Sequence, residues 1–319
     1  MADMRYRPLG GSGLMVSVVG LGCNNFGRRS DLEQTRAVVD AALDVGITLM
    51  DTADIYGGKG ASEDLLGQVL GGRRDRVVLA TKFGMDMEGA NGEDFGARGS
   101  TRYIRRAVEA SLRRLRTDHI DLYQYHLPDG ITPIEETLAA LDQLVKAGKV
   151  LYVGSSNFGG WEVAHAEWAA RSSGLTRFVS AQNHYSLLER RIEAQLTPAC
   201  VKYAVGILPY FPLANGLLTG KYRRGDPPPA GARLASNPAA LDERTFSRLE
   251  PIEEFARGIG RSLLEVAIGG LAAQPAVASV IAGATRPEQV RSNAEAGLWE
   301  PSPDELAELN RVAPSRLPF

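Results

Sequence analysis

Four ionisable side chains stand at or just after the ends of short apolar runs. Asp51 closes one run, and Tyr56 follows it five positions later in the segment DTADIYG (51–57). Lys82 closes a second run, and His126 closes a third, just before Leu127, Pro128 and Asp129. A free tyrosine has a pKa of about 10, which makes it a poor proton donor or acceptor near neutrality. A nearby ammonium favours the phenolate and lowers that value. A carboxylate on the far side of the lysine keeps it charged in a partly desolvated site, which gives Asp51 a purpose. A histidine beside the phenol can hydrogen-bond and orient a carbonyl. Such a set can give a proton to a carbonyl oxygen or take one from an alcohol. Each residue also has a plainer reading: a buried Asp51–Lys82 ion pair joining two strands, a loop tyrosine, and a satisfied core histidine.

For these residues to meet, the chain must bring strand ends to one face. The sequence predicts strands over 16–22, 48–51, 77–82, 120–126, 150–155, 178–183, 206–211 and 279–283, each short and apolar enough to be buried on both faces. Helical patterns lie between them, over 32–45, 62–70, 102–115, 133–147, 161–171 and 192–203. Thr132, Pro133 and Glu135 read as cap, first-turn proline and first-turn acid of one helix. Gly46, Gly148 and Gly174 read as helix stops. The alternation predicts an α/β fold, a closed (β/α)8 TIM barrel forming one domain over 1–319, whose C-terminal strand ends converge on one face. A doubly wound open sheet is the competing architecture. A β-hairpin over 5–17 precedes the barrel, and long loops over 85–100 and 223–238 stand at its C-terminal face as candidate binding elements. The tail, 301–319, holds a helix over 303–312 and an extended proline-containing end.

Bulk composition narrows the partners. The chain has 319 residues, 44% of them hydrophobic, and a net charge of −2, so nothing global points to nucleic acid or an anionic membrane. The arginines over 102–116 read as the solvated face of a helix. The two cysteines form no Cys-x-x-Cys pair and suit a reducing, cytoplasmic setting. The four histidines lack metal-ligand spacing, and no protein metal site is expected. No apolar signal core or membrane-length run occurs.

No Gly-x-Gly-x-x-Gly follows a strand, which disfavours a Rossmann site. GLLTGK (216–221) is one residue short of a Walker loop and is followed by Tyr222. IAGATRP (281–287) is more suggestive: a strand, a glycine turn, a hydroxyl, a cation and a proline at a helix start, where free amides favour a phosphate.

Taken together the sequence resembles the aldo-keto reductase superfamily from Arg7 to about Gly297. The resemblance is carried in order by GLGCNNFG (20–27), DTADIYG (51–57), ATKFG (80–84), DHIDLYQYHLPD (118–129), GSSNF (154–158), QNHYSL (182–187), PLANGLLTGKY (212–222) and GATRPEQ (283–289). The PLANGLLTGKY segment and the long loop after it place the chain nearer the bacterial and potassium-channel-β-like branch. The resemblance implies a barrel that binds NADPH across its C-terminal face and transfers hydride to an aldehyde or ketone. It implies Tyr56 as proton donor, Lys82 and Asp51 as the groups setting its pKa, and His126 as the carbonyl-orienting group. It places Gly22, Cys23 and Asn24 beside the cofactor, Ser156, Asn157 and Gln182 on the nicotinamide carboxamide, and Tyr210 under the nicotinamide ring. Phe211, Pro212, Leu213, Asn215 and Lys221 fall on the pyrophosphate segment. Gly283, Thr285, Gln289 and Asn293 fall at the adenosine end, with Arg233 or Arg286 as the cation selecting NADP over NAD.

Cys23, Asn24 and Asn25 replace the Thr-Met or Thr-Trp of many relatives, an exchange expected to make the pocket mouth more polar, with Asn24 and Phe26 in the substrate pocket. Phe211 stands where serine is common. Two other functions stay open: a redox-sensing protein that holds NADP(H) with slow turnover, and a cofactor-free isomerase or lyase using the same lysine and tyrosine.

Overall fold

Eight short parallel strands form one sheet: β3 (Val19–Gly22), β4 (Leu49–Asp51), β5 (Val78–Phe83), β6 (Ile120–Tyr125), β7 (Val150–Ser156), β8 (Phe178–His184), β9 (Gly206–Tyr210) and β10 (Val280–Gly283). They pair in chain order, and β10 returns to lie beside β3. The last gap, between β9 and β10, is bridged by the Ile207 N–H to the Ala276 carbonyl (2.7 Å) and the Ala278 N–H to the Ile207 carbonyl (2.9 Å). This computed structural model, which describes residues 4–229 and 231–315, is a (β/α)8 barrel. Among the described residues no helix is long and apolar enough to cross a membrane.

The period-two alternation of strand side chains assigns each residue a layer. Leu49, Ala80, Leu122 and Leu208 point inward and form one apolar cluster with Leu9, Val16 and Ile281. One step along, Met50, Leu79, Tyr123 and Ala181 point outward into the larger core under the helices. The next inward positions on three of these strands are Asp51, Lys82 and Gln124. The same alternation that fills the barrel floor with hydrocarbon therefore places charge and amide near the C-terminal ends. Register fixes their heights, with Gly22 opposite Asp51, Lys82 opposite Gln124, and Ser156 opposite Gln182.

The hairpin of β1 (Tyr6–Pro8) and β2 (Met15–Ser17) closes the opposite mouth. Its turn packs against the start of β9, where the Gly11 N–H meets the Ala204 carbonyl at 2.6 Å. The strand expected over 16–22 is thus two strands. Ser17 ends the hairpin because its hydroxyl donates to the Val19 carbonyl and accepts from the Thr48 and Leu49 amides.

The outer helices are α1 (Leu32–Asp44), α2 (Tyr56–Lys59, a single irregular turn), α3 (Ala61–Leu70), α4 (Thr101–Leu115), α5 (Ile134–Lys146), α6 (Gly160–Ser173), α7 (Leu196–Tyr203), α8 (Glu243–Gly258), α9 (Leu263–Ala272), α10 (Pro287–Ala296) and α11 (Pro303–Val312). Gly46, Gly148 and Gly174 follow helices with positive φ, as expected. The helix expected over 192–203 begins only at Leu196, after a separate turn at Arg191–Ala194, because Pro198 fits a first helical turn and not an interior. Thr132 does not cap α5. Asp129 takes both its amide and its hydroxyl (2.7 and 2.8 Å), and Pro133 stands at the cap. The proline-containing end beyond Ser315 lies outside the described residues.

The sequence pattern did not anticipate α8 and α9. They pack Phe246, Leu249, Ile252 and Val266 with Trp299 and Leu309 into a separate apolar cluster that also takes Tyr222 and Leu234. The Leu234 amide donates to the Tyr222 hydroxyl (3.2 Å). That contact ties Leu234, beside Arg233, to the residue just before the loop over 223–238.

Gly67 tests how closely α3 and α4 approach. A Cβ there would stand 2.4 Å from the Arg114 carbonyl oxygen and 2.8 Å from that of Leu115. In an exposed helix, alanine beats glycine by about 0.8–1 kcal/mol. Here Gly67→Ala is expected to destabilise by about 1–3 kcal/mol, read as a lower urea midpoint at unchanged m-value. A raised midpoint would show that the helices can separate without cost.

Candidate functional site

Lys82 is fully buried at the C-terminal end of β5, and its ammonium has three partners for its three protons. Nζ donates to Asp51 Oδ2 at 2.7 Å, to the Thr52 carbonyl at 2.8 Å and to the Tyr56 hydroxyl at 3.4 Å. Asp51 Oδ1 is held by Gln124 Nε2 (3.2 Å) and Gln182 Nε2 (2.8 Å). Neither charge of the pair reaches water freely: the side chains are 0% and 4% exposed. Burial pulls the lysine pKa down, but Asp51 and Tyr56 outweigh it and hold the ammonium above its ordinary value.

Tyr56 sits on the short turn after β4. Gly57 (φ 73°) makes that turn possible, since a Cβ there would stand 2.5 Å from the Phe26 carbonyl oxygen. Burial at the cavity floor raises the phenol pKa; Lys82 pulls the other way but does not overcome it. The expectation of a lowered pKa is therefore corrected: without a ligand, desolvation wins and the phenol keeps its proton. The His126 ring stands edge-on to Tyr56 with centroids 5.8 Å apart. Burial, aided by Lys82, drives its pKa down to about 3, so the imidazole is neutral. Its Nδ1 is buried without a partner among the described residues. A neutral imidazole beside a protonated phenol offers two hydrogen bonds to one oxygen atom, the arrangement a carbonyl needs for activation.

From this cluster a cavity of about 1190 Å³ runs across the barrel end to α10. Asp51, Tyr56 and His126 line it, while Lys82 stands behind Asp51 and Tyr56. Of the proposed cofactor positions, Gly22, Cys23, Asn24, Asn157, Gln182, Tyr210, Phe211, Pro212, Leu213, Asn215, Lys221, Arg233, Gly283, Thr285, Gln289 and Asn293 all line it. Ser156 does not. Its hydroxyl is buried and accepts from Asn157 Nδ2 at 3.2 Å. Asn157 (φ 61°) is itself engaged, with Nδ2 on the His126 carbonyl and Oδ1 receiving the Tyr210 hydroxyl (2.8 Å).

One expectation about the substrate side is corrected. Phe26 is fully buried in the main core and does not line this cavity. Asn24 and Asn25 flank Gly283, their amide atoms 3.6 and 3.5 Å from where its Cβ would stand, and Asn25 bonds the Ala284 carbonyl. Their polarity therefore lies on the β10 side of the cavity. Cys23 is buried beside Asp51, and burial pushes its thiol pKa up, as befits a small core residue.

Several cavity residues escaped the sequence pattern. Arg29, Met85 and Leu127 lie on loops, where no period exists to find them. Gln124 could have been found, since it is two positions before His126 on the inward face of β6. Arg29, Lys221, Arg233 and Arg286 line the cavity, and none has a carboxylate partner among the described residues. Burial and then the three arginines lower the Lys221 pKa, the electrostatic mark of cations gathered with nothing to neutralise them. Gly216 leaves room for the Lys221 amine, which would stand 2.8 Å from a Cβ there. Thr285 is set by Gln289, whose Oε1 accepts from its amide at 2.8 Å. Arg233 lies over the Phe211 ring at 5.2 Å, and Phe211 is edge-on to Tyr210 at 5.3 Å. His184 stacks on Tyr210 at 5.5 Å and backs that ring. The cavity is large enough for an extended dinucleotide, with an aromatic face near one end and four cations without counter-charges along it. Its residues fit NAD(P)(H).

Behind the cluster lies a second buried carboxyl group. The Asp54 amide donates to the Lys82 carbonyl (3.1 Å), and its Oδ2 accepts from Asn91 Nδ2 (3.1 Å) in the loop over 85–100. Burial, with Glu63 nearby, holds its pKa well above the ordinary carboxylate range. The folded protein thus binds this proton more tightly than the unfolded chain, whose value is about 3.9. The stabilisation is full below that unfolded value and is lost as pH rises toward the folded one. Asp54→Asn, an amide mimic of the neutral acid, is expected to gain in Tm over the parent as pH rises from about 4 to about 8. A Tm difference independent of pH would show an ionised Asp54.

Comparison with known proteins agrees with this geometry. The sequence model of the Aldo/keto reductase family matches residues 18–314. The chain is 39% identical to the uncharacterized oxidoreductase YrpG of Bacillus subtilis, over 98% of this chain and 96% of that protein. It is 34% identical to the L-glyceraldehyde 3-phosphate reductase of Escherichia coli K12, over 92% and 88%. It is 33% identical to a probable voltage-gated potassium channel subunit beta of Oryza sativa, over 92% and 91%. With the barrel, the cluster at its C-terminal end and these matches in agreement, the chain belongs to the aldo/keto reductase family of oxidoreductases.

Proposed function

We propose that the protein is an NADPH-dependent reductase of aldehydes or ketones in which Tyr56 is the general acid. The observation that carries this reading is the three-way contact of Lys82 with Asp51, Thr52 and Tyr56. It leaves one ammonium proton aimed at the phenol that would carry negative charge after proton transfer. A purely structural ion pair needs no such third contact.

When bound, the nicotinamide supplies a hydride to the carbonyl carbon. Tyr56 gives its phenolic proton to the carbonyl oxygen, so the product is an alcohol and the residue is left as phenolate. Lys82 compensates that charge, and Asp51, fixed by Gln124 and Gln182, keeps Lys82 in place. Neutral His126 hydrogen-bonds the same oxygen and sets the direction of the carbonyl. Asn157 and Gln182 would frame the carboxamide position, with Ser156 behind Asn157, and Tyr210, backed by His184, would offer the face for the ring. Phe211, Pro212, Leu213, Asn215 and Lys221 would hold the pyrophosphate, and Gly283, Thr285, Gln289 and Asn293 the adenosine. The four unpaired cations favour NADPH over NADH, because the additional phosphate brings charge that Arg233 and Arg286 can meet.

The test is a fluorescence titration with NADPH and NADH, followed by turnover of 4-nitrobenzaldehyde. NADPH is expected to bind more tightly. Tyr56→Phe should bind it equally well while kcat falls by about 10²–10⁴-fold. Equal affinity for the two cofactors would contradict the assignment of the cations. Undiminished kcat in Tyr56→Phe would remove the tyrosine from the chemistry. The potassium-channel-β relatives suggest a cofactor-holding regulatory protein as the second reading, and tight NADPH binding without turnover of any carbonyl would favour it.

A further inference from the structure

The turn that carries Tyr56 has little internal support. In α2 the residues Gly57, Gly58, Lys59 and Gly60 have φ of 73°, 85°, 59° and 102° in succession. No regular helical ladder runs through such a stretch, and its glycines have more freedom to lose than other residues would. The chain just before the turn is fixed. The Thr52 amide donates to the Ala80 carbonyl (2.9 Å) and the Asp54 amide to the Lys82 carbonyl (3.1 Å), which extends the pairing with β5 past the end of β4. Beyond Asp54, side chains on either side of Tyr56 supply further support.

Both reach the same loop, the one over 85–100 between β5 and α4. Asp54, two residues before Tyr56, is fully buried and does not line the cavity. Its Oδ2 accepts from Asn91 Nδ2 at 3.1 Å, and the same Nδ2 lies 3.3 Å from the hydroxyl of Tyr103 on α4. Asn91 is only 6% exposed, deep for an amide on a long loop. Lys59, three residues after Tyr56, pairs with Glu88 at 2.7 Å. The loop is itself secured at both ends. Gly84 passes against the Tyr125 ring, where a Cβ would stand 2.7 Å from Cε2, and the Gly99 amide donates to Asp129 Oδ2 at 2.7 Å. Met85, at its start, lines the cavity with Tyr56 and His126. The segment that holds the general acid is thus clasped to one loop twice, by a buried pair before Tyr56 and by an exposed ion pair after it.

We propose that Asp54 and Asn91 are positioning residues for Tyr56, and that the Lys59–Glu88 pair completes the brace. The proposal rests on the reductase reading. Through the loop the two contacts hold the turn where the phenol meets Lys82 at 3.4 Å. That distance is close to the limit of a hydrogen bond, so a small displacement removes it. The Asp54–Asn91 contact is the stronger of the two, because breaking it leaves a buried polar group unpaired. The exposed pair is weaker and screened by salt. Burial holds the Asp54 pKa well above the ordinary carboxylate range, so an amide at this position preserves the contact.

The test measures kcat, NADPH affinity by fluorescence titration, and the ¹³Cζ titration of Tyr56 in the intact protein and its variants. Asn91→Ala is expected to lower kcat by roughly tenfold. NADPH affinity should stay unchanged, since neither Asp54 nor Asn91 lines the cavity. The Tyr56 midpoint should fall toward about 10, because burial is the largest influence on this phenol and a released turn admits water. Asp54→Asn should behave as the parent. The exchanged pair Asp54→Asn/Asn91→Asp should recover most of the kcat lost in Asn91→Ala. Glu88→Gln, an exposed change that leaves the core intact, should lower kcat by about twofold and move the midpoint the same way, both effects fading at high salt. Parent kcat and parent midpoint in both Asn91→Ala and Glu88→Gln would overturn the proposal. So would a kcat that falls only with loss of folded protein by circular dichroism, while Tyr56 titrates as in the parent. A lowered midpoint in Asn91→Ala, with no carbonyl turnover by the parent, would keep the brace and overturn the reductase reading.

Discussion

A lysine ammonium and a carboxylate share a site closed to water at the end of the barrel, and the rest of the site is arranged around that fact. Removing two charges from solvent costs more than their attraction commonly returns unless every remaining donor and acceptor is satisfied. Here the satisfaction is complete on the lysine side. Lys82 reaches Asp51, a backbone carbonyl and the Tyr56 hydroxyl. Gln124 and Gln182 secure the carboxylate. A replacement by hydrocarbon would fill the space at no cost in desolvation, but it would leave nothing to answer a charge on the tyrosine. The pair is therefore better understood as a fixed electrostatic environment than as a source of stability.

The barrel supplies what the pair needs by simple means. Strand alternation alone places Asp51 above Leu49 and Lys82 above Ala80, so hydrocarbon insulates the charges from below. The turn at Gly57 then carries the chain back over the strand end and sets Tyr56 within reach of the ammonium. The opposing effects on the phenol also have a clear order. Burial raises its pKa more than Lys82 lowers it, so the resting group is an acid, and the lysine matters most once the proton has left. At the other end of the cavity the economy is reversed. Cations stand there without partners, which is unfavourable until an anion arrives.

Much of this was legible in the sequence because it depends on local periods. Apolar runs of strand length marked seven of the eight barrel strands to within a residue or two, and the residues ending three of them included Asp51 and Lys82. Helix stops at Gly46, Gly148 and Gly174 were equally clear. What failed had non-local causes. Ser17 splits a strand through bonds to residues about thirty positions away, and Asp129 takes Thr132 from its helix by tying two loops together. The sign of the Tyr56 shift could not be read from residue types, since it depends on how much burial the folded turn imposes. Phe26 was misplaced for the same reason: the loop after β3 folds back and sends the phenylalanine into the core, while Asn24 lines the cavity beside Gly283. Arg29, on that loop, belongs to no pattern at all.

The coupling of Lys82 to Tyr56 is the central claim, and ¹³Cζ-tyrosine NMR measures it directly. Tyr56 should titrate above about pH 10 in the parent protein, and higher still in Lys82→Met, because the one nearby charge that favours the phenolate is gone. The same titration midpoint in both proteins would contradict the account, for it would mean that the buried ammonium does not act on the phenol it touches.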